Sequence, residues 1–170
     1  GSVVVAAPGL SPVAQRPSAL VVRGAADEIL DRQVPVSATA ERTEGGVSYD
    51  GLFSGTVDRF TVSEALLKHD LRLLDRPTFP AGATSLANES IVELAASQTL
   101  ELRGEIEGSL ASGLAFATNL EIVEPGAEYS YVLPRPVAVD AEQTLIQGRY
   151  REEPLAGGNL VRISSGFPVA

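Results

Sequence analysis

Glycine and proline set the strongest constraint on what this chain can fold into: 16 glycines and 11 prolines are spread along 170 residues. Proline removes a backbone donor and glycine weakens the interior of a regular element, so the order that remains must come in short pieces. A hydrophobic content of 44% with 21% charged residues is that of a globular chain, so these breakers punctuate many short elements instead of marking disorder. The length suits one core. It predicts an extended lead-in over residues 1–19, rich in Pro8, Gly9, Pro12 and Pro17, followed by a single mainly-β domain over 20–170.

Between the breakers, short apolar segments alternate in the manner of strands. Leu20-Val21-Val22 and Val34 to Thr39 read as strands, with Ala25 to Arg32 between them as a short helical turn. Glu44-Gly45-Gly46 reads as a hairpin turn before Val47-Ser48-Tyr49, and Leu52-Phe53 as a further short strand. Thr61 to Leu74 admits two readings. Thr61-Val62-Ser63-Glu64 fits a helix capping box, while Leu71-Arg72-Leu73 alternates like a strand. A helix from Ser85 through Ser97 is also open. Beyond it, Leu100 to Arg103, Leu114 to Phe116, Leu120 to Val123, Tyr129 to Leu133, Val137 to Val139, Thr144 to Gln147 and Leu160 to Ile163 all read as strands.

A loose phrase recurs in the second half. Val92-Glu93-Leu94-Ala95, Leu114-Ala115-Phe116-Ala117 and Val137-Ala138-Val139-Asp140-Ala141 each precede an apolar pair, and their last alanines lie 22 and 24 residues apart. Such spacing suits stacked β-coils, with Leu94, Phe116 and Val139 in one inward stack and Leu100, Leu120 and Leu145 in another. On that reading Ala95, Ala117 and Ala141 turn the corners, and Phe116→Asp unfolds the domain. Frequent turn signals equally suit an antiparallel sandwich. The expected fold class is therefore mainly β, a parallel solenoid or alternatively an antiparallel β-sandwich, with at most one or two short helices, one of them at 61–74.

Charge narrows the partners. The formal net charge is −9, from 22 acids and 13 bases, and no run of Lys or Arg is present along the chain. Nucleic acid and anionic membrane both demand a basic face, so neither is expected as a partner. No stretch approaches the roughly 20 apolar residues of a membrane-spanning helix. The chain has no cysteine, which excludes disulfides, thiolate metal sites and a cysteine nucleophile. It also has no methionine and opens Gly1-Ser2, which reads as a segment of a longer protein.

Catalytic chemistry finds few parts. His69 is the only histidine, no Gly-x-Ser-x-Gly elbow exists, and Asp70 is its sequence neighbour, so the two side chains point to different faces. His69 is expected as a solvated or hydrogen-bonded surface residue. Asp27, Glu28, Asp31, Asp50, Asp58, Asp140, Glu142, Glu152 and Glu153 are oxygen donors, but no calcium-loop spacing assembles them. Glycine-rich phosphate loops are lacking. Asn88-Glu89-Ser90 matches the glycosylation triplet and reads as chance, and Tyr129 and Tyr131 share one strand face that suits packing or a small binding platform. No residue is singled out as catalytic, cofactor-binding or metal-binding, and no cofactor is expected.

Leu120 to Ala127, Val137 to Ala141, Leu145 to Arg149 and Gly157 to Ile163, all within residues 90–166, resemble coils of filamentous-haemagglutinin-like bacterial exoproteins. That resemblance implies a β-helical, secreted or surface-displayed protein used in adhesion or as a stalk, and it carries no catalytic residues. The function expected is a non-enzymatic structural or adhesion module, extracellular or on a bacterial cell surface. Its partners would be a protein or glycan receptor, or neighbouring domains of the same polypeptide. A β-sandwich carbohydrate- or protein-binding domain of a surface, phage or toxin protein is the alternative, and a carboxylate-dependent hydrolase the third reading.

Overall fold

The computed structural model describes residues 2–63, 66–108, 115–156 and 158–169. The chain opens with β1 (Val3–Val5) and the long β2 (Val13–Gly24), then β3 (Ile29–Gln33), β4 (Ala40–Thr43) and β5 (Gly46–Asp50). A hairpin of β6 (Thr56–Ser63) and β7 (Leu66–Leu73) leads into β8 (Ala83–Glu93), β9 (Thr99–Glu107) and β10 (Phe116–Val123). The last third holds β11 (Tyr131–Leu133), β12 (Val137–Val139), β13 (Leu145–Gln147), β14 (Arg149–Pro154) and β15 (Leu160–Pro168). Thirteen strands form one sheet in the order β1-β2-β8-β15-β14-β10-β11-β7-β6-β5-β4, with β3 paired to β2 and β9 to β10. β12 and β13 stand apart as a two-stranded hairpin.

Among the described residues the structure is all-β and antiparallel, apart from a single parallel bridge between Val132 and Leu66. This corrects the solenoid expectation. Leu100 pairs with Ile122 and Leu120 with Leu102 across antiparallel strands, while Val139 pairs with Leu145 in the separate hairpin, 56% and 68% exposed. The recurring phrase marks strands joined by tight turns, such as Ala95 to Gln98 and Asp140 to Gln143, and a tight turn reverses the chain where a coil would need a crossover. Ala117 lies wholly buried inside β10 and turns no corner.

No described residue is helical. Residues 61–63 and 66–73 belong to the β6–β7 hairpin, while Glu64 and Ala65 lie outside the described residues, as do Gly113, Leu114 and Gly157. In β6 the buried residues are Thr56, Asp58 and Phe60, so period-two burial overrides the capping-box pattern that follows. Ser85 to Glu93 is strand because β8 is hydrogen-bonded on both sides, to β2 and β15. Ala25 to Arg32 is a turn followed by β3, and Val34 to Thr39 is a loop, with Val34 and Val36 exposed. Leu52 and Phe53 are buried in a bend instead of a strand.

Order begins well before Leu20. β1 pairs with the first residues of β2, and Val5 and Val13 are core residues. Pro17 sits within β2 because the register slips between Pro17 and Ala19, and a bulge tolerates a residue without an N–H.

Two hydrophobic clusters hold the sheet. The first gathers Val5, Val13, Val92, Leu120, Ile122, Tyr131 and Ile163; the second gathers Leu20, Tyr49, Leu52, Phe53 and Phe60, and Val3 packs against both. Ser11 ties the N-terminal segment to the first cluster. Its N–H donates to Glu124 at 3.0 Å, and its carbonyl accepts from Tyr131 at 3.1 Å and Gln98 at 2.9 Å. Burial pushes the Tyr131 phenol up, while the Ser11 and Ser97 donors hold the Glu124 carboxyl below the ordinary range.

Candidate functional site

Strand alternation gives β2, β8, β15 and β14 two different faces. The inner row runs Leu20, Asn88, Ser165, Tyr150 across the four strands; the adjacent outer row runs Val21, Ala87, Gly166, Arg149. Next to it lie Glu89, Ser164 and Arg151, in register with each other. The middle of this outer face is thus built from small residues, with arginines at its margins.

A groove of about 410 Å3 follows from this arrangement. Arg23, Arg135, Arg149 and Arg151 line it together with Asp27, Phe116 and Phe167. Four arginines therefore meet in one hollow of a chain whose net charge is −9. Arg149-Tyr150-Arg151 explains two of them: alternation turns both guanidinium groups outward and Tyr150 inward, where its hydroxyl donates to the Pro134 carbonyl at 2.6 Å. That bond fixes the segment carrying Arg135, whose Nε donates to the Gly148 carbonyl at 3.2 Å. Burial raises the Tyr150 phenol far above its ordinary range. Gly148 itself is required by close approach, since a Cβ there would lie 2.6 Å from the Gly166 carbonyl oxygen and 2.7 Å from the Phe167 ring.

Asp27 organises the opposite wall from the turn between β2 and β3. Its φ is +62°, its backbone carbonyl accepts from Arg23 at 2.8 Å, and its carboxylate lies 3.0 Å from Arg151 and 3.6 Å from Arg23. Arg149 pairs with Glu107. Arg23 also lies 3.8 Å from the buried Glu89, whose second oxygen is 3.6 Å from Arg32. Arg135 has no carboxylate partner among the described residues. The groove lining holds four arginines and Asp27, with Glu89 and Glu107 paired to Arg23 and Arg149 from outside it, which leaves Arg135 as the arginine without a carboxylate partner among the described residues. Arginine forks match carboxylate, sulfate or phosphate oxygens two at a time, and aromatic side chains add apolar area beside them.

His69 forms a second polar cluster, between the β6–β7 hairpin and β8. Its Nε2 is 2.8 Å from Asp58 Oδ1, its Nδ1 is 3.4 Å from Asn88 Nδ2, and its ring stacks on Phe60 at 4.1 Å. Asp70 is exposed beside Lys68, so the carboxylate next to the imidazole comes from across the hairpin instead of from the neighbouring position. Both ring nitrogens are occupied by Asp58 and Asn88, and no serine, threonine or tyrosine hydroxyl is hydrogen-bonded to the ring among the described residues. The arrangement cross-links strands and lacks a nucleophile.

The remaining residues scatter. Asn88 lies on a strand paired along both edges, with its side chain against His69. Tyr131 is fully buried while Tyr129 is 62% exposed, so the pair forms no platform. Asp140 shapes the β12–β13 turn, accepting from the N–H groups of Glu142 at 2.9 Å and Thr144 at 2.8 Å. Among the described residues, no three acidic or histidine side chains converge as a cation site. Phe116, expected in the core, is only partly buried and lines the groove, because it pairs with Arg151 on the outer face while Ala117 turns inward.

The arginine groove was invisible as a run of charge because its four cations come from three separate segments, β2, the β11–β12 connection and β14. Arg149-x-Arg151, beside Gly148, is the one local trace of it. Comparison with known proteins finds no matching family model, no matching curated protein and no matching solved structure.

Proposed function

We propose that this chain is a non-enzymatic binding module of adhesion type, part of a secreted or surface-displayed bacterial protein, and that its arginine groove receives an anionic ligand. The observation that carries the reading is the meeting of Arg23, Arg135, Arg149 and Arg151 in one hollow of an otherwise acidic chain. The antiparallel architecture favours a receptor-binding domain over a stalk. A carboxylate-dependent hydrolase has less support, since such chemistry takes two convergent acids and Asp27 is the one acid among the residues lining the groove.

The test is binding of the immobilised chain to a panel of acidic and neutral glycans. Binding of acidic members, weakened by salt and by Arg149→Ala or Arg135→Ala, is the expected result. Equal binding of neutral members, or indifference to both substitutions, rules the groove out as the binding site.

A further inference from the structure

The outer face does not end at the groove. Along β8 it continues from Ala87 to Ile91, four residues or about 14 Å at the rise of an antiparallel strand. There a second hollow of about 470 Å3 opens, lined by Ala14, Arg16, Ile91, Glu93 and Asn159. Ile91 is in register with Arg16 on one side and Arg162 on the other, so arginines flank this end as well. Arg16 is exposed and has no carboxylate partner among the described residues. Arg162 pairs with Glu153 at 2.8 Å, and its Nε is buried without a partner. Between the two hollows lies the buried, ion-paired Glu89, whose register partner Ser164 lines the first of them.

Resting on the groove as an anion site, we propose that the occupant of this face is a linear acidic polysaccharide with about one carboxylate per sugar, lying along β8 and spanning both hollows. Three features select this class. The arginines are spread along the strand direction, as an extended ligand requires. Acids are interleaved among them, Asp27, Glu89 and Glu93, which suits sparse charge and opposes duplex DNA with one charge per about 1.7 Å of axis. And β2, β8, β14 and β15 are hydrogen-bonded along both edges where they floor the groove up to Gly166, so a peptide has no strand edge there to extend. A saccharide needs only guanidinium forks and ring faces.

Titration calorimetry of the full chain with galacturonate oligomers, from disaccharide to octasaccharide, tests the span. Affinity is expected to climb at least about tenfold with length, as linked contacts become simultaneous. Arg16→Ala should weaken the octasaccharide and leave the disaccharide unchanged, whereas Arg149→Ala weakens both; thermal melting of each variant checks that it is folded. A disaccharide that binds as well as the octasaccharide overturns the two-hollow span and leaves the groove reading standing. Failure of every acidic glycan overturns both. Tighter binding of poly-glutamate or of single-stranded DNA at matched ionic strength assigns the face to another class of polymer and overturns the saccharide.

Discussion

His69 and Asp58 form a cross-strand pair inside the β6–β7 hairpin, 2.8 Å apart, with the carboxylate fully buried and the imidazole 12% exposed. Phe60, two residues after Asp58, supplies the ring on which the imidazole stacks, and it belongs to the second core cluster. The pair thus joins a polar contact to a hydrophobic one, and through Asn88 it ties the hairpin to β8.

Removing either partner strands the other. Asp58→Ala or His69→Ala is expected to lower unfolding free energy by about 3 kcal/mol, the scale for breaking a buried polar pair. Replacing both by leucine should cost less than the two losses added together, because the partners are in contact. Urea denaturation measures all three, and single losses under about 0.5 kcal/mol would show that the pair contributes nothing.

Leu120 and Phe116 separate core from groove. Leu120 is fully buried in the first cluster, and Leu120→Ala should destabilise by about 2–5 kcal/mol. Phe116→Ala should cost clearly less and act on ligand binding instead. Equal destabilisation by the two variants would return Phe116 to the core.

Gly46 lies where β5 meets β6 with no room for a side chain. An added Cβ would stand 1.8 Å from the Phe60 backbone carbonyl oxygen, and backbone cannot swing aside as a long side chain can. Gly46→Ala is expected to destabilise by more than about 2 kcal/mol. A melting temperature unchanged from the parent protein would mean that the hairpin shifts freely.

Glu152 gives a pH signature. Burial raises its carboxyl above the ordinary range, so the folded state holds that proton more tightly than the unfolded state does. Its unfavourable contribution appears as pH rises from the unfolded value through the folded one, and is complete above it. Glu152→Gln should therefore stabilise the protein at neutral pH and lose that advantage in acid. Glu124 runs the other way: its carboxyl is lowered by the Ser11 donors, so its stabilisation is complete above the unfolded value and disappears as pH falls through the folded one. Chemical denaturation across the acid range should show the stability differences of Glu152→Gln and Glu124→Gln from the parent protein changing with pH in opposite directions, and differences that run parallel would contradict this assignment.

Much of the strand content was legible because period-two alternation and turn residues are local. Val137 to Val139, Leu145 to Gln147 and the Glu44-Gly45 turn can be read from a few neighbours. Direction was not. Whether strands pair parallel or antiparallel depends on how the chain returns, and three alanine-centred phrases contain no information on that return. The 61–74 segment was ambiguous because Thr61-Val62-Ser63-Glu64 satisfies a helix-start pattern locally, and only the pairing of Phe60 with His69 and Thr61 with Lys68 decides against it. The groove lay further out of reach, since Asp27 and Arg151 meet across 124 residues of sequence.

The β12–β13 hairpin stands outside the thirteen-stranded sheet and shows Val137, Val139 and Leu145 to the surroundings. Its turn is shaped by Asp140 and its base by the bond from the Gly148 N–H to the Pro136 carbonyl at 2.8 Å, so neither hydrophobic cluster depends on it. Selection can therefore rewrite these three apolar positions at little cost to folding. On the proposed reading of the groove as a binding site, this hairpin is where substitutions would change preference with the smallest loss of stability, since it adjoins the groove through Gln147 and Gly148.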